Sequence, residues 1–148
     1  MGLAGEGKID DSVWMVKTHF PERIGYEAFD VNKCIVIVRN PLDSIFSLFN
    51  MIGTTTHSES VIEEELEFIT NKTDIYDKFI EQEITVWADF HTYWIESPYK
   101  VPTHFVKYED LLENPEVALK ELCKFLLNVD SLDNFKQLNT LIQETALS

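Results

Sequence analysis

The apolar run Cys34–Val38 is the feature that most constrains the fold of this chain. It reads Cys-Ile-Val-Ile-Val without a polar interruption, which is typical of a strand buried on both faces of a parallel sheet. A helical pattern follows almost directly. Pro41 suits the first position of a helix, and apolar residues then recur at helical spacing up to Ile52. This stretch therefore predicts a strand that leads into a helix.

Two shorter apolar runs, Val13–Val16 and His104–Val106, are also predicted as strands. No Asn-Gly or Asp-Gly hairpin signal joins the three strands, and helical patterns lie between and after them. The further helices are predicted at about 58–69, 75–95, 115–126 and 132–146. The predicted fold class is α/β, with a parallel sheet flanked by helices. We expect residues 1–148 to form a single domain, with residues 1–12 flexible.

The charge of the chain excludes several classes of partner. Its 148 residues include 26 acidic and 12 basic side chains, which gives a net charge of −14. Such a chain is a poor general binder of nucleic acid or of an anionic membrane. The acidic residues concentrate in residues 59–96, which carry a net charge of −9, whereas residues 12–40 carry +1. An anionic ligand near residues 12–40 therefore remains compatible with the composition.

Metal binding and membrane insertion are not expected from the sequence. Cys34 and Cys123 have no second Cys or His at the spacing of a zinc site. No apolar stretch approaches the roughly 20 residues that a membrane span requires.

Polar residues follow each predicted strand, at the end of a sheet where α/β proteins bind ligands. These are Lys17–His19, Arg39–Pro41 and Lys107–Asp110. Each set alone is also explained by a strand that reaches solvent.

The second set is the most informative, because free backbone N–H groups at the start of the following helix would attract an anion. The Arg39 guanidinium suits phosphate geometry, and Asp43 and Ser47 share one helix face. The alternative is an Arg39–Asp43 ion pair that only ties the strand to the helix.

Three segments resemble the sulfotransferase family, which uses 3′-phosphoadenosine 5′-phosphosulfate as its sulfuryl donor. Arg39–Ser47, which reads Arg-Asn-Pro-Leu-Asp-Ser-Ile-Phe-Ser, closely resembles its 3′-phosphate-binding motif. Val16–Pro21 resembles its Lys-Thr-His-hydrophobe-Pro segment, and Phe105–Leu111 resembles its Tyr-Glu-Asp segment. The three segments occur in the family's order, and the resemblance covers about residues 13–127.

The resemblance implies the P-loop-NTPase-like sulfotransferase fold and a role for five residues. His19 would be the general base, and Lys17 would offset the charge that develops during sulfuryl transfer. Arg39 and Ser47 would hold the 3′-phosphate, and Tyr108 would contact the adenine. The alternative for Tyr108 is a ring packed under the sheet edge. The acceptor would be a hydroxyl or amine of a small molecule, or a hydroxyl of a glycan or protein, and no metal is implied.

The sequence also departs from the family. It contains neither a phosphosulfate-binding loop of the Lys-Ser-Gly-Thr-Thr-Trp type nor a late Arg-Lys-Gly segment. We therefore expect a partial domain that lacks the N-terminal phosphosulfate-loop strand and a C-terminal segment. Whether this chain is active by itself stays open. The alternatives are a non-catalytic, sulfotransferase-like assembly subunit and a fragment completed by another chain, with a homo-oligomer also open.

A third hypothesis is another nucleotide binder of the P-loop type. Gly2–Lys8 has the Gly-x4-Gly-Lys spacing, but Ile9 stands where Ser or Thr would coordinate magnesium. The expected compartment is the cytoplasm, with the Golgi lumen as the alternative if an anchor precedes residue 1.

Overall fold

The computed structural model describes residues 10, 12–19, 30–56, 59–96 and 101–147, with the side chains of 71 and 72 left aside. The chain divides into two units, Met1–Asn32 and Lys33–Ser148. The flexibility expected for residues 1–12 and the P-loop-like spacing of Gly2–Lys8 concern residues that lie largely outside this description.

The unit Lys33–Ser148 contains a parallel sheet with helices. Its described residues form β1 (Cys34–Val38), α1 (Pro41–Thr54), α2 (Glu63–Lys72), α3 (Ile75–Glu96), β2 (Thr103–Lys107), α4 (Tyr108–Glu113), α5 (Pro115–Leu127) and α6 (Lys136–Ala146). Within them, β1 and β2 pair in parallel, with Cys34 opposite Thr103 and Val38 opposite Lys107. The long crossover between the strands is α-helical, as a parallel connection requires. The α/β class with a parallel sheet is thus confirmed.

The core lies between this sheet and its helices. Val36 and Val106 are 3% and 5% exposed, and Ile45 of α1 is 3% exposed. On the same helix, the Phe49 ring meets the rings of Tyr76 and Phe79 of α3 edge-on, with centroids 4.9 and 5.5 Å apart. Burial of Ile45 and the ring contacts of Phe49 hold α1 in the core and against α3.

Two polar side chains, those of Asn50 and Lys33, form hydrogen bonds with backbone groups of segments that are distant in sequence or lie outside their own element. Asn50, buried in α1, accepts the backbone N–H of Val61 at 2.9 Å, and so ties the segment before α2 to α1. The Lys33 ammonium donates to the carbonyls of Phe125 and Leu126 and to the side chain of Asn128. Since the last carbonyls of a helix have no partner within it, Lys33 caps the end of α5.

The sequence prediction was wrong at several elements. Val13–Val16 is irregular, and Trp14 and Met15 are 80% and 57% exposed. A strand forms only where a neighbour satisfies its backbone groups, and no described residue pairs with this segment. The helix predicted from about residue 58 begins at Glu63, and the last helix begins at Lys136 instead of 132. The short helix α4 was not predicted.

Candidate functional site

The carboxyl ends of β1 and β2 form the candidate site. Because Val38 and Lys107 are register partners in a parallel pair, the residues that follow them emerge side by side. Arg39 and Asn40 therefore lie next to Tyr108 and Glu109, where the backbone N–H of Asn40 donates to Glu109 Oε1 at 2.8 Å. The sequence predicted a parallel sheet but not which strands are neighbours, and it is the pairing of β1 with β2 that creates this juxtaposition.

The Arg39 guanidinium lies over the ring of Tyr108, with its central carbon 4.8 Å from the ring centroid. Such a cation–π contact is favourable and holds the guanidinium beside the ring, and the N–H groups of a guanidinium form a planar set of donors. The ion pairs among the described residues are Lys78–Asp74, Lys120–Glu116 and Lys124–Glu121. The alternative of an Arg39–Asp43 ion pair was therefore wrong.

The backbone N–H groups at the start of α1 have hydrogen-bond partners within the protein, contrary to the expectation that they are free. The Asn40 side chain accepts the N–H groups of Leu42 at 2.9 Å and of Asp43 at 3.4 Å. The N–H of Asn40 itself is taken by Glu109, and Pro41 has none. The N–H of Ser44 makes the first intrahelical bond, to the Asn40 carbonyl at 2.9 Å. An anion at this junction must therefore be held by side chains.

Several neighbouring groups stabilise the ionised form of the Glu109 carboxyl. The hydrogen bond from Asn40, a second one from the backbone of Glu109 itself, and the charges of Arg39 and Lys107 hold the pKa of its carboxyl below the usual 4.5. Each of these groups stabilises the ionised form. Glu109 is thus a carboxylate that accepts from the backbone of the junction at neutral pH.

Trp87 reaches the same junction from the middle of α3. Its indole Nε1 donates to the Arg39 carbonyl at 3.2 Å. The His91 ring lies against the indole, with centroids 4.0 Å apart, and His91 Nδ1 contacts the Trp87 carbonyl at 2.7 Å. Since a carbonyl only accepts, Nδ1 carries the proton. His91 is therefore packed against Trp87 on the same helix.

Lys17 and His19 belong to the unit Met1–Asn32, which is described by itself. Lys17 Nζ and His19 Nε2 are 2.8 Å apart, and both side chains are exposed. Because an ammonium only donates, His19 Nε2 is the acceptor in this pair. The spacing of the two residues thus gives a direct Lys–His contact.

The structure brings together some of the site residues predicted from the sequence. Lys17 pairs with His19, and Arg39 packs on Tyr108. Ser47 is an exposed residue of α1. A ring under the sheet edge was the alternative for Tyr108, and its ring instead supports a guanidinium.

Sequence reasoning gave no role to Trp87 or Glu109. The signal for Glu109 was its place directly after Tyr108, but its contact with Asn40 depends on the pairing of β1 with β2, which the sequence did not predict. Trp87 carried no such signal, since its contact with Arg39 spans 48 residues and depends on how α3 docks.

The described residues contain no cluster of three or more His, Cys, Asp or Glu side chains that could hold a metal ion. In the same residues, no helix combines the length and the apolar character needed to cross a bilayer.

Comparison with known proteins gives consistent matches. The family model described as a sulfotransferase domain matches residues 8–144. Sulfotransferase 1B1 of Mus musculus is 28% identical over 128 residues, which are 80% of this chain and 40% of that protein. Cytosolic sulfotransferase 14 of Arabidopsis thaliana is 37% identical over 98 residues, which are 64% of this chain and 26% of that protein. No solved structure matches the chain.

The chain therefore spans well under half the length of the curated relatives it matches. The family match nevertheless covers nearly all of its own residues and includes the three family-like segments, Val16–Pro21, Arg39–Ser47 and Phe105–Leu111. The matched range also includes the ends of β1 and β2, the pair Lys17 and His19, and the pair Arg39 and Tyr108. This chain belongs to the sulfotransferase family.

Proposed function

We propose that this chain takes part in sulfuryl transfer from 3′-phosphoadenosine 5′-phosphosulfate to a hydroxyl or amine acceptor. The observation that carries the proposal is the Arg39 guanidinium at the carboxyl end of β1, held in a cation–π contact with the Tyr108 ring, because its N–H groups form a planar set of donors. Such a planar set of donors fits two oxygens of a phosphate group. Arg39, with the Ser47 hydroxyl, would hold the 3′-phosphate of the donor.

Tyr108 would have two roles at this site. The Tyr108 ring contacts the Arg39 guanidinium. Either the Tyr108 hydroxyl or the opposite face of its ring would contact the adenine. The in-plane donors of Arg39 are the part of the site that matches the chemistry of a phosphate. The start of α1 adds no free donor, because Asn40 and Glu109 occupy its first N–H groups.

His19 and Lys17 would perform the chemistry. His19 would remove the proton of the acceptor hydroxyl as its oxygen attacks sulfur. The bond from sulfur to the bridging oxygen of the phosphosulfate then breaks, and Lys17 would offset the charge on the departing phosphate oxygen. Positioning and charge stabilisation supply most of the rate in transfers of this type.

The acceptor is proposed only as a class: a hydroxyl or amine of a small molecule, or a hydroxyl of a glycan or protein. The Arabidopsis relative is named as a cytosolic sulfotransferase, and we extend that compartment to this chain as part of the proposal. Cell fractionation followed by immunodetection tests it, and recovery in the Golgi lumen would contradict it.

Binding of adenosine 3′,5′-bisphosphate, measured by calorimetry, tests the phosphate site. Arg39→Gln should weaken this ligand about tenfold or more, because it removes a charged hydrogen-bonding partner. Adenosine 5′-monophosphate, which lacks the 3′-phosphate, should be unaffected. Lys78→Gln, an exposed lysine of α3, is the matched charge control. Equal weakening of both nucleotides would refute the assignment of Arg39.

The role of His19 is tested by the rate of sulfuryl transfer to a model phenol. His19→Ala should lower the rate about 100-fold or more if His19 is the general base. His104→Phe is the control, because a phenyl ring retains the stacking of His104 on Phe125, whose centroids lie 5.1 Å apart. An unchanged rate in His19→Ala would remove His19 from the mechanism.

The second candidate is a sulfotransferase-like chain without activity of its own, which acts in an assembly or is completed by another chain. In this candidate a partner would supply the phosphosulfate-binding segment, which the 148 residues do not contain. Nucleotide binding without transfer, and transfer restored by a second chain, would support this candidate. Transfer by the isolated chain would exclude it.

A further inference from the structure

One peptide group is held from both sides at the candidate phosphate site. Its oxygen, the Arg39 carbonyl, accepts from Trp87 Nε1 at 3.2 Å. Its N–H, that of Asn40, donates to Glu109 Oε1 at 2.8 Å. The two partners come from α3 and α4, which are separate in sequence from each other and from the junction.

We propose that Trp87 and Glu109 are positioning residues, which clamp the Arg39–Asn40 peptide and so direct the Arg39 side chain toward a phosphate. The inference rests on the proposed function, because it concerns the same Arg39. Neither residue is placed against the ligand. Both act through the backbone from which the guanidinium extends.

The geometry of the peptide explains why two hydrogen bonds suffice. A peptide group is planar and rigid, and bonds to its oxygen and to its nitrogen oppose its rotation about the chain axis. That rotation changes ψ of Arg39 and φ of Asn40 together, and with them the direction in which the Arg39 side chain leaves the strand. Two donor–acceptor contacts, with the Tyr108 ring beneath the guanidinium, therefore fix Arg39 before a ligand arrives. Preorganisation of this kind lowers the entropic cost of binding.

Trp87 is itself supported on α3. The ring of His91 lies against its indole and that of Phe90 lies against His91, with centroid distances of 4.0 and 5.2 Å. These contacts restrict the rotamer of the indole, and so its N–H is held toward the Arg39 carbonyl. A phenylalanine at position 87 would fill much of the same space without the donor.

Substitutions of Glu109 distinguish a positioning role of its carboxylate from the effect of its negative charge on phosphate binding. Its carboxylate accepts from the Asn40 N–H, but its negative charge repels a phosphate held by Arg39. Glu109→Gln retains an acceptor oxygen and removes the charge. Glu109→Ala removes both. A positioning role therefore predicts opposite results for the two variants, whereas a purely electrostatic role predicts that both bind the anion more tightly.

The experiment measures adenosine 3′,5′-bisphosphate and adenosine 5′-monophosphate by calorimetry, on chains whose folding is checked by circular dichroism. Trp87→Phe and Glu109→Ala should each weaken the bisphosphate by about threefold to tenfold, the range of one hydrogen bond, and leave the monophosphate unchanged. Glu109→Gln should bind the bisphosphate as tightly as the parent chain or more tightly. Trp94→Phe, the same substitution two turns further along α3, is the matched control.

Unchanged bisphosphate affinity in both Trp87→Phe and Glu109→Ala would overturn the inference. If Trp87→Phe does not fold, the Glu109 pair decides the question alone, and tighter binding by Glu109→Ala would overturn positioning. If the parent chain binds both nucleotides equally, the proposed role of Arg39 fails. The clamp is then judged by hydrogen exchange of the Asn40 amide: faster exchange in Glu109→Ala and Trp87→Phe than in Trp94→Phe supports it, and equal exchange overturns it.

Discussion

The guanidinium of Arg39 lies 4.8 Å from the centroid of the Tyr108 ring. The two residues are 69 positions apart in the chain, and each directly follows one of the paired strands. This contact holds the Arg39 guanidinium against the Tyr108 ring where both strands end. It assigns Tyr108 a function that the sequence did not suggest, namely support of a cation.

Substitution of Tyr108 should separate support of Arg39 from contact with adenine. Tyr108→Phe keeps the ring face, so affinity for adenosine 3′,5′-bisphosphate should stay within about twofold, whereas Tyr108→Leu should lose about 0.5–1 kcal/mol of cation–π energy, or twofold to fivefold in affinity. Calorimetry measures both. A large loss in Tyr108→Phe, with the same loss for adenosine 5′-monophosphate, would instead show that the hydroxyl binds the base.

The hydrogen bond between Asn40 and Glu109 should make stability depend on pH. This bond is the largest cause of the lowered pKa of the Glu109 carboxyl, so folding favours the ionised form. The stabilisation is fully present above the unfolded value of about 4.5 and is lost as pH falls through the lower folded pKa. Urea unfolding of the parent chain and of Glu109→Gln should therefore show a difference that shrinks below pH 4.5. A difference that stays constant from neutral pH down to this acid range would contradict the assignment.

Removal of the Lys33 ammonium should destabilise the end of α5. Its Nζ lies 2.9 Å from the Leu126 carbonyl and 2.6 Å from Asn128 Oδ1. Lys33→Met keeps the aliphatic stem and loses these bonds, so unfolding should become easier by about 1–3 kcal/mol. Lys78→Met is the control, because Lys78 is 67% exposed in an ion pair of α3, and such pairs contribute about 0–1 kcal/mol. Equal effects of the two substitutions would contradict the capping role.

Replacement of Asn50 should loosen the segment before α2. Asn50 is 7% exposed, and its Oδ1 accepts the N–H of Val61 at 2.9 Å. Asn50→Ala leaves that buried donor without its partner, which should cost about 1–3 kcal/mol of unfolding free energy. Asn134→Ala, at an exposed position before α6, should change stability by less than about 0.5 kcal/mol. Urea unfolding distinguishes the two.

Gly53 of α1 should tolerate no larger side chain while Val61 is present. A Cβ at position 53 would lie 2.7 Å from Val61 Cγ2, and a β-branched side chain has little freedom to move away. Gly53→Ala should therefore destabilise the chain, although alanine is favoured over glycine in a helix by about 1 kcal/mol. In a double-mutant cycle with Val61→Ala the loss should largely disappear. A stabilised Gly53→Ala single variant would show that α1 and Val61 are further apart.

Sequence patterns were reliable where one local signal dominated. The β-branched run at Cys34–Val38 and the Asn-Pro start of α1 led to the elements observed. The same reasoning failed at Val13–Val16, because a strand depends on a partner that its own residues do not specify. Free N–H groups were also wrongly expected at the start of α1, because the Glu109 carboxylate that occupies one of them is distant in sequence.

The sequence by itself determined the family-like motifs, the α/β class and the residue types that suit an anionic donor, since these follow from local composition and spacing. The tertiary structure decided how the donors are used. Parallel pairing of β1 with β2 brought Tyr108 and Glu109 beside Arg39 and Asn40, and the docking of α3 brought Trp87 to the same peptide. Contacts between residues 48 to 69 positions apart depend on packing of the whole unit, and no local pattern encodes them.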